Sequence, residues 1–247
     1  MKGLSVNRHD EDNPTPLRNP CKGLFITMIS IYAEFHAELL KALSETFILL
    51  GFSILSALLI GLPLGTLIYL TRKDGYYENR FVSFFLNGYV DVVRSFPFLL
   101  FIVFMIPVTR FLIGTSLGTY AASVPMSFVA AALYARFVEQ ALLEVPQGII
   151  DSALSLGATP FQLVFKFLFV EARSGLVLGL TSSIISYVNY STVMGVVGGG
   201  GIGDFAMRYG YQRFEWQIMY ATILIMIVLV LMIQFTGNRI AKRIDKR

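Results

Sequence analysis

Residues 46–70 form a run of 25 residues without an acidic, basic or imidazole side chain. As a helix rising about 1.5 Å per residue, it outreaches the roughly 30 Å hydrocarbon core of a bilayer. Backbone polar groups in lipid must be satisfied internally, and a helix does this within a single segment. Four further stretches, 96–113, 120–135, 176–197 and 217–235, are apolar and uncharged through their centres. The first two of these four are short as drawn and are expected to extend toward Asn87 and Leu143 respectively. Composition points the same way: 55% of residues are hydrophobic and 15% charged, against about 25% charged in an ordinary soluble domain. The expected fold is an all-α polytopic membrane protein with five transmembrane helices. Pro63, Pro97, Pro107 and Pro125 lie within or beside spans, where bends are tolerated if neighbouring helices satisfy the freed carbonyls.

Upstream, residues 1–21 are polar, carry three prolines and read as a disordered arm. They lack the apolar stretch of a cleavable signal. Residues 25–33 are apolar but too short to cross, so 1–38 is an arm with an interfacial lead-in, and 39–247 is the membrane domain. Met28 is an alternative start. The single cysteine, Cys21, excludes an internal disulfide framework.

Counting Lys and Arg by loop favours an outside N-terminus and an inside C-terminus. The inside set is then Arg72, Lys73, Arg80, Arg136, Lys166, Arg173, Arg239, Lys242, Arg243, Lys246 and Arg247, against Arg110, Arg208 and Arg213 outside. Lys2, Arg8, Arg18, Lys22 and Lys41 of the arm oppose this orientation, and a start at Met28 removes four of them.

Residues 145–172 form the longest interior stretch not suited to lipid. Pro146 suits the first turn of a helix and Gly157 the left-handed residue that ends one. Thr159, Pro160 and Gln162 then supply an N-cap, a first-turn proline and a capping box. The pattern predicts a helix-turn-helix between spans three and four, on the cytoplasmic side by the charge count. Ile150, Ala153, Leu154 and Gly157 share one side of the first helix, an apolar face expected to receive a partner or rest on lipid. DNA-reading modules share this architecture, but Lys166 is the only basic residue across 146–170, too little for phosphate contacts, so nucleic acid is not an expected partner.

Span centres hold no ionisable residue for ion coupling. Asp91 and Arg94, three apart before Pro97, are expected to pair at a helix end, with a gating role as the alternative. Span four is the most polar. Ser182, Ser186 and Asn189 share a face, with Ser183, Tyr187 and Tyr190 beside it, and this stripe either lines a wet path or bonds to its own and neighbouring helices. The Gly-rich run 195–204 lacks a phosphate-loop Gly-Lys-Ser/Thr and follows a membrane helix, so it reads as a flexible or tightly turning external loop. His9 and His36 form no metal or hydrolase pattern, and neither a catalytic residue nor a metal site is expected.

Asp151-Ser152-Ala153, then Gly157 after three residues, then Phe167-Leu168-Phe169-Val170 stand at the offsets of the EAA loop, whose usual form is Glu-Ala-Ala, Gly and an Ile-x-Leu-Pro ending. The chain thereby resembles permease subunits of bacterial ABC importers, with Asp for Glu, Ser for Ala and Val170 for the usual Pro. From about Glu45 onward it looks like the methionine-uptake branch of that family, on stretches including Arg94-Ser95-Phe96-Pro97-Phe98, Met105-Ile106-Pro107, Gly157-Ala158-Thr159-Pro160 and Tyr209-Gly210-Tyr211. The resemblance implies a homodimer in the bacterial inner membrane, two cytoplasmic ATPase subunits that bind the ATP, and an extracytoplasmic binding protein delivering methionine. It makes Asp151, Ala153, Gly157, Ala158, Thr159 and Pro160 the ATPase-coupling element, and leaves Ser182, Ser186, Tyr187, Asn189 and Tyr190 as the candidate substrate path. No cofactor is expected on this chain. A permease for another small solute is the first alternative, and a channel or secondary carrier the second.

Overall fold

The computed structural model describes residues 20–73 and 75–245, with side chains described from residue 35. The disordered arm expected at the N-terminus lies outside the described residues up to residue 19, and the backbone is helical from Pro20.

Helix α1 (Pro20–Ser56) departs from helical geometry at Phe35. It continues through a π-helical turn, Ala57–Gly61, into α2 (Leu62–Thr71). Pro63 explains that turn: it has no N–H for the preceding turn, and the ladder widens there, Leu62 N–H reaching Ala57 O instead. The outcome is one continuous rod, Phe35–Thr71.

The second expected span takes a different form. Its extension toward Asn87 is helical, but α3 (Arg80–Ser95) and α4 (Phe98–Ile113) meet at 116°. Proline at 97 keeps Phe96 extended (φ −71°, ψ 130°) and the helix ends before it. Among the described residues four helices are therefore long and apolar enough to cross alone, and a fifth span results if the bent pair counts as one.

Helix α5 (Thr119–Leu143) does extend to Leu143 and is the centre of the fold, with two thirds of its apolar window buried. Ala121, Ala122, Ala130, Ala131, Ala132, Ala135 and Ala141 are all buried on it, and small side chains let neighbouring backbones approach. After three short helices, α6 (Gln147–Ser155), α7 (Pro160–Gln162) and α8 (Phe169–Glu171), come α9 (Arg173–Val196), α10 (Gly201–Phe205), a π-helical turn at Ala206–Tyr211, and α11 (Trp216–Ile244). Lipid-type side chains such as Ile227, Leu231 and Phe235 cover the outside of α11.

Buried hydroxyls are satisfied locally, as a membrane interior requires. Thr46, Ser53, Thr181, Ser183 and Thr222 each donate to the carbonyl four residues back. Other bonds cross between helices: Ser56 to Ser127 O (2.8 Å), Tyr89 to Phe128 O (3.0 Å) and Tyr187 to Ala130 O (2.9 Å).

Two ends are distinct. At one, Tyr76 of the α2–α3 loop reaches Asp151. At the other, Gly118 N–H donates to Gly198 O, and Glu45 accepts from Gly201 N–H at 2.8 Å.

Candidate coupling and substrate-path sites

The stretch after α5 folds as a tight helical hairpin. Helix α6 (Gln147–Ser155) starts one residue after Pro146, which serves as its N-cap. The chain then reverses at Gly157, whose φ of +74° is a left-handed value that costs a side-chain-bearing residue about 1–2 kcal/mol. Gly157 N–H reaches Leu154 O (2.9 Å) and Ala158 N–H reaches Ala153 O (3.1 Å), so two end carbonyls of α6 are satisfied. The next helix opens with a complete capping box. Thr159 Oγ1 accepts from Gln162 N–H at 3.3 Å, and Gln162 Oε1 accepts from Thr159 N–H at 3.0 Å. Helix α7 (Pro160–Gln162) passes through a π-helical stretch, Leu163–Leu168, into α8 (Phe169–Glu171) and so to α9.

The apolar side of α6 faces inward. Ile150 and Ala153 are fully buried in the main core beside Leu142, Leu163 and Leu168, and Leu154 packs against that core. That face therefore receives neither partner nor lipid, because the chain's own core takes it. What projects instead is Leu156, 81% exposed, and Phe161, 71% exposed, with the Phe165 ring 4.3 Å from that of Phe161. Asp151, Gly157, Thr159 and Pro160 share this outer side, Ala158 is half-buried, and Ala153 helps seat the hairpin.

Tyr76 is a member of this site that the motif spacing does not reveal, since it stands 75 residues before Asp151. Its hydroxyl donates to Asp151 Oδ1 at 3.2 Å and accepts from Gln147 Nε2, tethering the α2–α3 loop to α6. Burial first, then the Asp151 carboxylate, hold the Tyr76 phenol above its ordinary value, so it remains a donor through neutral pH.

The polar stripe of α9 is split among three settings. Tyr187 and Ser183 point into the core, where each bonds a backbone carbonyl. Ser182 and Asn189 are exposed, and Ser186 is half-buried with its hydroxyl on Ser182 O at 3.1 Å. Asn189 lines a 570 Å³ groove between α9 and α11 that is otherwise mostly apolar, with Val193, Met219 and Met226. Tyr190 is half-buried and stacks on Phe98 with ring centres 4.3 Å apart. Thus only Ser182, Asn189 and, in part, Ser186 keep an open face, because one helix cannot turn six neighbouring residues to one side.

Asp91 does not pair with Arg94. Its carboxylate takes Arg136 of α5 at 2.5 Å, and Arg136 also holds Glu139 at 2.5 Å. A partner on another helix was invisible to local spacing. Gly195–Asp204 is likewise more structured than a flexible loop: after a glycine turn it forms α10, folded back on α9.

The chain is 41% identical over 223 residues, 90% of this chain and 99% of the relative, to a protein of Vibrio cholerae named a probable D-methionine transport system permease protein, MetI. It is 36% identical over 181 residues, 73% of this chain and 82% of the relative, to the methionine import system permease protein MetP of Bacillus subtilis. The fold is similar to that in inward-facing structures of the MetNI methionine ABC transporter, with a TM-score of 0.83 at 38% identity over 86% of this chain and 99% of that one. An amino acid ABC transporter crystallised with histidines shares the fold alone, at a TM-score of 0.68 and 17% identity over 89% of this chain and 98% of that one. Residues 57–247 match the family described as the binding-protein-dependent transport system inner membrane component, and the chain, a multi-pass inner-membrane permease subunit, belongs to that family.

Proposed function

We propose that this permease moves methionine into the cytoplasm as part of an ATP-driven importer. The observation that carries the reading is the similarity to D-methionine permeases along nearly the whole chain, on a fold that matches a methionine ABC transporter. ATP is bound and hydrolysed by a separate cytoplasmic subunit, a second copy of this chain completes the membrane pore, and an extracytoplasmic binding protein delivers the solute. Residues 39–247 form the permease domain. The N-terminus lies outside and the C-terminus inside, in keeping with the excess of Lys and Arg in the loops on the hairpin's side.

On this reading the ATPase docks against Leu156, Phe161 and Phe165, and Asp151, Gly157, Ala158, Thr159 and Pro160 hold that ledge in shape. Ala153 acts from inside, fixing α6 to the core so that movement of the ledge passes into α5 and α9. A rigid-body change driven through such a lever gives alternating access. Ser182, Ser186 and Asn189 face the path between the two copies. Tyr187 supports it from behind, and Tyr190 borders it beside Phe98.

The test is uptake of labelled D- and L-methionine by proteoliposomes holding this chain with its ATPase and binding protein. Uptake is expected only with ATP and all three components. Uptake by this chain alone, without ATP, would overturn the proposal.

A further inference from the structure

Where α3 breaks into α4, a cavity of 190 Å³ is lined by Arg94, Phe96, Phe98, Phe101, Leu133 and Tyr190, with Arg94 and Phe96 on its exposed side. Its depth follows from its walls: Val129 and Leu133 stand near the middle of α5, and Tyr190 lies well inside α9. A guanidinium at such depth is costly unless something answers its charge. Its sequence neighbour Asp91 is committed to Arg136, and among the described residues no carboxylate lies within ion-pair distance of Arg94. Beside the aliphatic wall from α5, four rings line the cavity: Tyr190 stacks on Phe98 at 4.3 Å, and Phe96 meets Phe101 edge-on at 6.2 Å.

One planar cation set among aromatic faces suits a particular class of solute. A guanidinium holds a carboxylate through two parallel N–H bonds, and a thioether settles at about 5 Å from aromatic rings. We propose that this cavity is a substrate subsite within the permease, binding the α-carboxylate of an amino acid at Arg94 and its apolar, sulfur-bearing side chain among Phe96, Phe98, Phe101 and Tyr190. The assignment rests on the amino-acid import reading and adds the residues that touch the solute. Among the described residues no carboxylate answers Arg94 because the cargo supplies one. The helix break opens the space, and Asp91 is kept away by Arg136, so the arginine is left for the passing carboxylate.

The experiment is photolabelling of the full complex in proteoliposomes with a diazirine analogue of methionine, the adducts being mapped by peptide mass spectrometry. Adducts are expected within residues 94–101 and at Tyr190. Methionine is expected to compete at least about 10-fold better than methioninamide, which lacks the carboxylate charge, because a site built for a charged group rejects the analogue without it. Arg94→Gln should erase that preference and Arg94→Lys should keep part of it. If Arg94→Gln does not assemble with the ATPase, the lysine variant and Tyr190→Leu, which removes the stacked ring, carry the test. Adducts confined to other residues, or an unchanged preference in assembled Arg94 variants, would overturn the subsite. Absence of methionine import in the wild-type complex would instead strike the substrate assignment.

Discussion

Helix α9 has a short reversal at each end, and the two are built on different plans. At its start the α6–α8 hairpin is anchored by side chains: Ile150, Ala153, Leu163 and Leu168 are fully buried, while Leu156 and Phe161 stand out into the surroundings. At its far end α10 also buries Ile202 and Phe205, but adds a close anchoring by backbone. A Cβ on Gly203 would come within 2.4 Å of Thr192 O, and one on Gly195 within 2.1 Å of Asp204 N, so only hydrogen fits between these turns. Glu45 and Thr46 of α1 then accept from Gly201 and Ile202 N–H at 2.8 and 2.9 Å. An element held by an inner face of side chains has an outer face to spare for a partner. An element also wedged through its backbone on one side and its amide ends on the other has less. The first plan suits a lever and the second a clamp.

The clamp is where a small change is expected to do most harm. Gly203→Val puts methyl groups against the backbone of Thr192, which cannot give way, and is predicted to cost about 3 kcal/mol or more; the loss of monodisperse protein after detergent extraction would measure it. Wild-type yield and melting in that variant would break the contrast.

The lever should fail differently. Gly157→Pro cannot adopt φ of +74° and loses the N–H bonded to Leu154 O, yet the residue is exposed and open space surrounds it. The permease is predicted to insert and assemble while ATP hydrolysis continues without transport. Gly157→Ala is expected to cost only about 1 kcal/mol and to keep coupled uptake.

A third change probes the clamp's carboxylate. Glu45→Ala leaves the Gly201 N–H without its acceptor, a loss of about 1–3 kcal/mol, visible as faster amide exchange across 198–205; Glu45→Gln should restore most of it.

The smallest expected effect concerns the tether to the lever. Tyr76→Phe removes two exposed hydrogen bonds, to Asp151 and from Gln147, and should cost about 1 kcal/mol, read as a lowered melting temperature of the complex. Because the folded phenol is held above its ordinary value, the contribution of the bond to Asp151 is full below about pH 10 and is lost only as pH rises past the raised value. The difference between wild type and Tyr76→Phe is therefore predicted to be flat across neutral pH.

Much of this was legible from one chain of letters because it depends on near neighbours. Apolar length marked the spans, and Gly157, Thr159 and Gln162 specified their turn and cap through bonds reaching only a few residues. What could not be read depends on partners far along the chain. Asp91 found Arg136 instead of Arg94, Tyr76 found Asp151, and α6 turned its apolar side inward because Leu142 and Leu168 were waiting there. The stripe on α9 likewise dissolved once Ala130 offered Tyr187 a carbonyl. Pro97 marked a bend, but its angle was set by how α3 and α4 each lie on α5.

That bend bears on how the protein is made. Helix α4 alone rises about 24 Å, less than the roughly 30 Å that a nascent segment must cover to stop in the bilayer. Insertion is therefore predicted to proceed by pairs: the segment ending at Ile113 waits at the translocation channel until α5 emerges, and both enter as a hairpin. A glycosylation reporter fused after Ile113 should give mixed orientation, and one fused after Leu143 a single orientation. Uniform orientation in both fusions would show that the bent segment partitions unaided.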